Sequence, residues 1–391
     1  MFAGWAIVTL AIGYVGVLFA IAWLGDRVIR PRKRGSGRPL IYALSLGVYC
    51  TSWTFFGSVG LAAATGYDFL PIYIGPILMF ALGWPLILRI VRLSKSQNIT
   101  SIADFLAARY GKSQAVAAIV TIVAVVGCLP YIALQLKAIV ISTETILGGN
   151  PLVDIVLPSI GFVDTAMIVA VILAVFAVLF GTRHIDATEH QDGLMLAVAA
   201  ESLVKLATFL AVGVFVTFAV FGDLEAFAGR MLTSNILEPV FRRPFNGTAW
   251  LTSTFLSMCC IVLLPRQFHV TVVENTSERE VKRAAWLLPL YLVLINLFVV
   301  PIAAAGLLML PKGLVEPDMF VLALPMAKGS SLVTTLAYIG GLSAATAMVI
   351  VESIALSIMV SNGLVIPLLL RNRMLGEAQQ EGLTSQLLTI R

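Results

Sequence analysis

Charge is scarce in this sequence. Only 12% of its 391 residues are Asp, Glu, Lys or Arg, 59% are hydrophobic, and mean hydropathy is +0.96; an average soluble domain is ~25% charged. Too few polar side chains are present to cover a water-facing surface, which excludes soluble enzymes, secreted scaffolds and disordered chains. Cysteine is scarce too. Cys50, Cys128, Cys259 and Cys260 each lie inside an apolar run with no CxxC spacing, so they read as small packing residues and not as disulfides or zinc ligands. The three histidines, His184, His190 and His269, form no HExxH or HxxE pair, and neither a metal site nor a cofactor is expected. Walker, GxSxG and dinucleotide signatures are missing from any suitable context, which makes an intramembrane enzyme the weakest functional class. No basic stretch precedes the first apolar run, Trp5 to Leu24, and a dense basic cluster follows it, the reverse of a signal peptide.

What the chain has in abundance is apolar runs. They recur along nearly its whole length, long enough for the ~20 residues that span a bilayer, and they do not alternate as barrel strands would. The expected fold class is therefore an all-α integral membrane bundle. Nine spans are read, at 4–24, 39–64, 69–93, 114–147, 163–181, 193–221, 248–265, 284–310 and 331–367. The fourth and ninth are long enough to require tilt or continuation beyond the hydrocarbon. Of the 26 Lys and Arg, 19 fall in alternate loops beginning with Asp26–Arg38, five in the opposite loops, and Lys137 and Lys205 inside spans. By the positive-inside rule the first set is cytoplasmic, the N-terminus outside and the C-terminus inside. The net charge of +5 thus reports topology and the lipid bilayer as partner, with no nucleic acid implied.

A span that lines a binding site needs small and hydroxyl residues, because exposed backbone must find partners there. From Ser45 to Gly60, 8 of 16 residues are Gly, Ser or Thr, and from Gly247 to Met258, 6 of 12 are; from Val163 to Phe180 only Thr165 qualifies. The enriched spans are the second and seventh, five apart, the spacing of two discontinuous helices in an inverted five-plus-five repeat. Close packing of small residues is the bland alternative. Charges inside spans form a second constellation, since each needs a partner or a water pathway. Glu201 and Lys205 lie four apart on one helical face, with Lys205 ~21 Å from the cytoplasmic end of its span. They are candidates for proton or charge handling, or for an ion pair that only fixes helix register. Glu352 lies in the cytoplasmic half of the ninth span, either facing water or handling protons. Lys137 stands near Gln135 in the fourth span.

The stretches YALSLGVYCTSWTFFGSVGLA (Tyr42–Ala62), SIADFLAARYGKS (Ser101–Ser113), FGTRHIDATEHQDGLMLAVAAESLVKL (Phe180–Leu206) and LLPRQFHVTVVENTSERE (Leu263–Glu280) resemble the sodium/solute symporter family. The likeness is to the transporter-like N-terminal module of CbrA-like sensor histidine kinases in particular, with the third stretch the most specific. The resemblance implies a LeuT-type fold, one peripheral helix followed by two inverted repeats of five helices. On that plan residues 1–38 are the peripheral helix and a basic loop, 39–222 the first repeat, 223–367 three helices of the second, and 368–391 a cytoplasmic tail. The last core helices of the family are then expected to be missing from this chain.

The resemblance also implies a sodium site built from the backbone carbonyls of Gly47 and Cys50 and two adjacent hydroxyl residues on the ninth span. In gap-free register those two positions hold Ala347 and Met348, with Ser343 and Thr346 nearby. A hard cation needs oxygen, and a methyl and a thioether supply none, so a degenerate cation site and sodium-insensitive binding are expected. Thr188 and Glu189 match the family's Thr-Asp pair conservatively, and Tyr49 stands at its Asp on the second span. The same fold includes proton-coupled amino-acid transporters with a lysine near the sodium position on the fifth core helix, which here is the helix of Lys205. The implied solute is small and polar, an amino acid with histidine first, held by Ser52, Trp53, Thr54, Gln135, Phe255 and Ser257, with Trp53 and Phe255 shielding it from water. A kinase domain in a longer chain, a response regulator and the bacterial inner membrane complete the implied context. A receptor module that binds solute without moving it is the alternative from another class.

Overall fold

The structure, a computed structural model, describes residues 4–28, 38–147, 165–181, 191–310, 313 and 315–371. Arg30 to Arg34, His184, Thr188, Glu189, His190, Lys312 and the tail after Arg371 lie outside the described residues. Each expected span falls on a helix or a bent pair of helices. α1 is Gly4–Val28, α2 Pro39–Ser45 and α3 Ser58–Thr65. α4 (Pro71–Ala81) and α5 (Trp84–Ser96) follow, then the short α6 (Ile102–Arg109), α7 (Gln114–Leu147), α8 (Thr165–Gly181) and α9 (Asp192–Val216). The later part comprises α10 (Gly247–Leu263), α11 (Pro265–Phe268), α12 (Glu278–Asn296), α13 (Val299–Met309), α14 (Ser331–Val360) and α15 (Ile366–Arg371). Among the described residues, five helical stretches are long and apolar enough to cross a membrane alone, and three more qualify as bent pairs.

The bends have causes in the sequence. Between Pro39–Tyr49 and Trp53–Thr65 the axis turns by 69°, where Cys50 is extended between a tight turn at Leu46–Tyr49 and a widened π turn at Trp53–Gly57. Between Gly247–Leu263 and Pro265–Val273 it turns by 55°. There Leu264 adopts φ −62°, ψ 136°, because the ring of the following Pro265 disfavours helical ψ at the residue before it. Both bends fall on the spans rich in Gly, Ser and Thr. A third bend differs from expectation: the run 69–93, read as one continuous span, turns by 69° between Ala81 and Trp84. Leu82 closes one helix, Gly83 caps the start of the next and Pro85 sits in its first turn, where a missing N–H is best tolerated.

α9 and α14 cross the middle of the molecule together, joined where Ser343 Oγ donates to the Glu201 carbonyl at 2.8 Å. α7 packs on α14 from the other side. α10 lies against α4, where a Cβ on Gly75 would stand 2.1 Å from Ser257 Oγ, so only glycine permits that approach. α1 is tied on by the Gly193 amide, which donates to the Asp26 carboxylate at 2.9 Å. At one end of the bundle Arg38 meets Asp192 at 3.1 Å and Arg92 meets Glu278 at 2.7 Å. Ser277 and Glu280 form a capping box that starts α12 at the same end. All of these belong to the loops counted as the basic side.

Candidate functional site

The break in the second span leaves backbone carbonyls that a continuous helix would have used, and a buried lysine answers them. Lys205, fully buried on α9, donates from Nζ to Cys50 O at 2.8 Å and to Gly47 O at 3.3 Å. These are the two carbonyls that the family resemblance assigns to a cation, and the tethered Lys205 amine occupies them. Gly47 allows the approach, since a Cβ there would lie 2.8 Å from Ser202 Oγ and 3.2 Å from the Tyr291 ring. Glu201 turns to another partner. Its Oε1 accepts from Thr346 Oγ1 at 2.5 Å, so the Glu201–Lys205 turn is bonded to α14 on one side and to the break on the other. Ala347 and Met348 are fully buried beside this contact and bring no oxygen to it. Ser343 and Thr346 do bring hydroxyls, but both bond to Glu201, one to its carbonyl and one to its carboxylate.

On the other side of the break, Gln135 of α7 faces Ser52. Its Oε1 accepts from the Ser52 amide at 3.0 Å and from Ser52 Oγ at 2.6 Å. One turn earlier on α7, Tyr131 shares a hydrogen bond with Thr51 Oγ1 at 2.8 Å, and Thr51 also accepts from the Trp53 amide at 3.3 Å. Trp53 stacks on Tyr73, with centroids 6.5 Å apart and planes 28° from parallel, and Thr54 is buried next to it. Thus Ser52, Trp53, Thr54 and Gln135 gather around one discontinuity, where polar backbone and hydroxyls are concentrated inside an otherwise apolar bundle. Lys137, two residues past Gln135, points the other way and is exposed.

The two residues assigned to the seventh span sit differently. Ser257 Oγ donates to Pro71 O at 2.8 Å, a helix-packing contact, and the small residues of α10 serve its close approach to α4. Phe255 is 61% exposed, so within this chain it shields nothing. Of the two alternatives read for Glu352, facing water or handling protons, its burial is at odds with the first. It is fully buried, and its Oε2 accepts from Arg266 Nη1 at 2.6 Å. Arg266 is one of the 19 basic residues that the charge census assigns to the cytoplasmic loops; the structure buries it just after the α10–α11 break, 2% exposed, with its guanidinium 5.2 Å from the Tyr131 ring centroid. Tyr131 and Arg266 are thus the site residues that sequence reasoning missed. The one signal in the sequence was a charged residue directly after Leu-Pro in a span already marked as broken. Among the described residues, no group of three His, Cys, Asp or Glu side chains is placed to hold a metal.

No protein-family model matches the chain. Over 308 residues, 76% of this chain, it is 24% identical to a protein of Bacillus subtilis (strain 168) described as the uncharacterized symporter YhjB, and it spans 58% of that relative's length. The whole chain superposes on 77% of a solved Na+-coupled sialic acid symporter, captured substrate-bound and outward-open, with a TM-score of 0.62 and 13% sequence identity. The fold is therefore that of the LeuT-type helical membrane bundle.

Proposed function

We propose that this chain is a transporter-like module that binds a small polar solute at the break in its second span. The carrying observation is the meeting of the Ser52 amide and hydroxyl with Gln135, one turn of chain from the Cys50 and Gly47 carbonyls held by Lys205. A broken helix in a LeuT-type bundle is a midplane binding device, because its freed backbone groups can serve a solute as readily as they serve side chains. Trp53 and Thr54 complete the solute's surroundings. An amino acid is the proposed solute class, with L-histidine the first to test, on the resemblance to CbrA-like sensors. That resemblance extends the proposal to a bacterial inner-membrane location and a division into residues 1–38, 39–222, 223–367 and 368–391, and the charge split adds the N-terminus outside and the C-terminus inside. It further suggests output to a histidine kinase and response regulator in a longer protein. Lys205 carries the charge that a coupling cation would otherwise supply.

One observation favours a second reading, a receptor that binds without transport: a tethered ammonium cannot be exchanged across the membrane as a free ion can. Purified protein in liposomes separates the two. Saturable binding with counterflow of labelled L-histidine supports a transporter, and saturable binding without counterflow supports a receptor. No saturable binding of L-histidine, or of any member of an amino-acid panel, would remove the amino-acid proposal.

A further inference from the structure

Between the Ser52–Gln135 contact and the basic end of the bundle lies a second buried cluster. Arg266 and Glu352 meet at 2.6 Å with side chains 3% and 0% exposed. The two belong to elements of different character. Glu352 is on α14, a helix unbroken for 30 residues. Arg266 is in the segment Pro265–Val273, which is bracketed by the extended residue Leu264 on one side and by a π turn at His269–Val273 on the other. A segment with a proline break before it and a widened turn at its end can rotate as a unit by changing few dihedrals. The Arg266–Glu352 contact crosses from this segment to the unbroken helix. Tyr131 lies beneath the guanidinium and shares its hydroxyl bond with Thr51, so the cluster adjoins the break of the second span.

The hydrogen bonding of this cluster is incomplete. Arg266 Nε and both polar atoms of the Gln267 amide are buried without a protein partner among the described residues, and Glu352 Oε1 has at most the weak thiol donor of Cys128. A static strut in a low-dielectric interior is favoured only when every such atom is satisfied. Groups that exchange partners between two arrangements can be only partly satisfied in each.

We infer that the Arg266–Glu352 pair is a latch, which holds Pro265–Val273 against α14 and closes the path from the solute site to the end carrying Arg92 and Glu278. Opening separates the two side chains, and the Tyr131 ring is the seat that guides Arg266 back. The existence of a path rests on the solute-module reading above. The latch is tested without solute, so failure of every member of the amino-acid panel to bind would count against that reading and leave this test standing.

A natural reporter is in place. Cys128 on α7 is 6% exposed and within side-chain reach of Glu352. In the full chain carrying Cys50→Ala, Cys259→Ala and Cys260→Ala, the rate of Cys128 modification by an impermeant maleimide is measured from each face of oriented vesicles. The expected parental rate is slow from both faces. Glu352→Gln raises it about tenfold or more, only from the face of Arg92 and Glu278, as local opening requires. Tyr131→Leu raises it in the same direction, whereas Tyr131→Phe, which keeps the ring, does not. The exchange Arg266→Glu with Glu352→Arg restores the slow rate, and it carries the test if Glu352→Gln fails to fold. An unchanged rate in Glu352→Gln, an equal rise from both faces, or an exchanged pair that stays fast would each overturn the latch.

Discussion

A lysine ammonium and a sodium ion offer the same formal charge to a pair of carbonyls, but the lysine is bonded to its helix and cannot leave. At the Gly47 and Cys50 carbonyls that difference predicts indifference to sodium. Affinity for a bound amino acid should change less than about tenfold, ~1.4 kcal/mol of coupling, between sodium chloride and choline chloride at equal ionic strength; a larger sodium enhancement would show that an ion enters despite Lys205. Removing the ammonium has its own consequence. Lys205→Met removes the lysine donor from the buried Cys50 carbonyl, at ~1–3 kcal/mol, while Gly47 O keeps the Cys50 amide at 3.0 Å, so its melting temperature in detergent should drop below that of Glu201→Gln, whose amide oxygen can still accept from Thr346 Oγ1. If Lys205 has a coupling role beyond this scaffold, Lys205→Met also loses whatever pH dependence ligand binding shows, while the bundle stays folded. The charge itself was legible in the sequence, because a lysine deep in a span demands a partner. Its geometry was not: Lys205 and Cys50 are 155 positions apart, and only the family resemblance had set them at one site.

At the scale of elements, the broken spans are held open by small residues on their neighbours. A Cβ on Gly341 would lie 2.2 Å from the Phe56 ring, and one on Gly340 would lie 2.1 Å from Thr208 Oγ1 and 2.6 Å from Phe55. The two phenylalanines of the Trp53–Gly57 turn thus seat on a glycine pair of α14, which positions the discontinuity beside Gln135 and Lys205. Gly341→Ala should therefore destabilise by ~1–3 kcal/mol through overpacking, and adding Phe56→Leu should recover part of the loss in a thermal melt. Equal melting of Gly341→Ala and the parent would mean that the ring moves aside freely and that this contact does not fix the break. The spans and two of the three bends were readable from runs of apolar residues and from Gly, Ser and Thr content. The bend at Gly83 was passed over because the flanking residues are apolar and the Gly-Trp-Pro signal is only three residues long. Arg266 was misplaced for the opposite reason, since a charge beside proline reads as a loop end until its distant carboxylate partner is seen.

For the molecule as a whole, the arrangement of charge is the property that decides orientation. Moving Arg266 from the loops into the interior leaves eighteen basic residues on one side against five on the other, and the asymmetry that governs insertion survives the correction. The structure adds a spatial form to that census: Arg38, Arg92 and the start of α12 meet at one end, so the basic loops are neighbours in space as well as alternates in sequence. The helix Leu224–Thr233 belongs to the opposite set of loops and exposes Leu232 at 67%. Two reporters then fix the orientation independently of any solute. With the native cysteines replaced, Arg279→Cys in intact cells should resist an impermeant maleimide until the membrane is permeabilised, because the charge census assigns the start of α12 to the cytoplasmic side. Leu232→Cys should react at once from outside. Arg279 precedes the apolar part of α12 and Leu232 lies on a short helix with no buried residue, both exposed, so labelling reads the side they occupy and not a buried position. The reverse pattern would invert the whole bundle and put the face behind the Arg266–Glu352 contact outside the cell, whereas labelling of both from one side would mean that the spans between them are even in number and that one of the bent pairs does not cross.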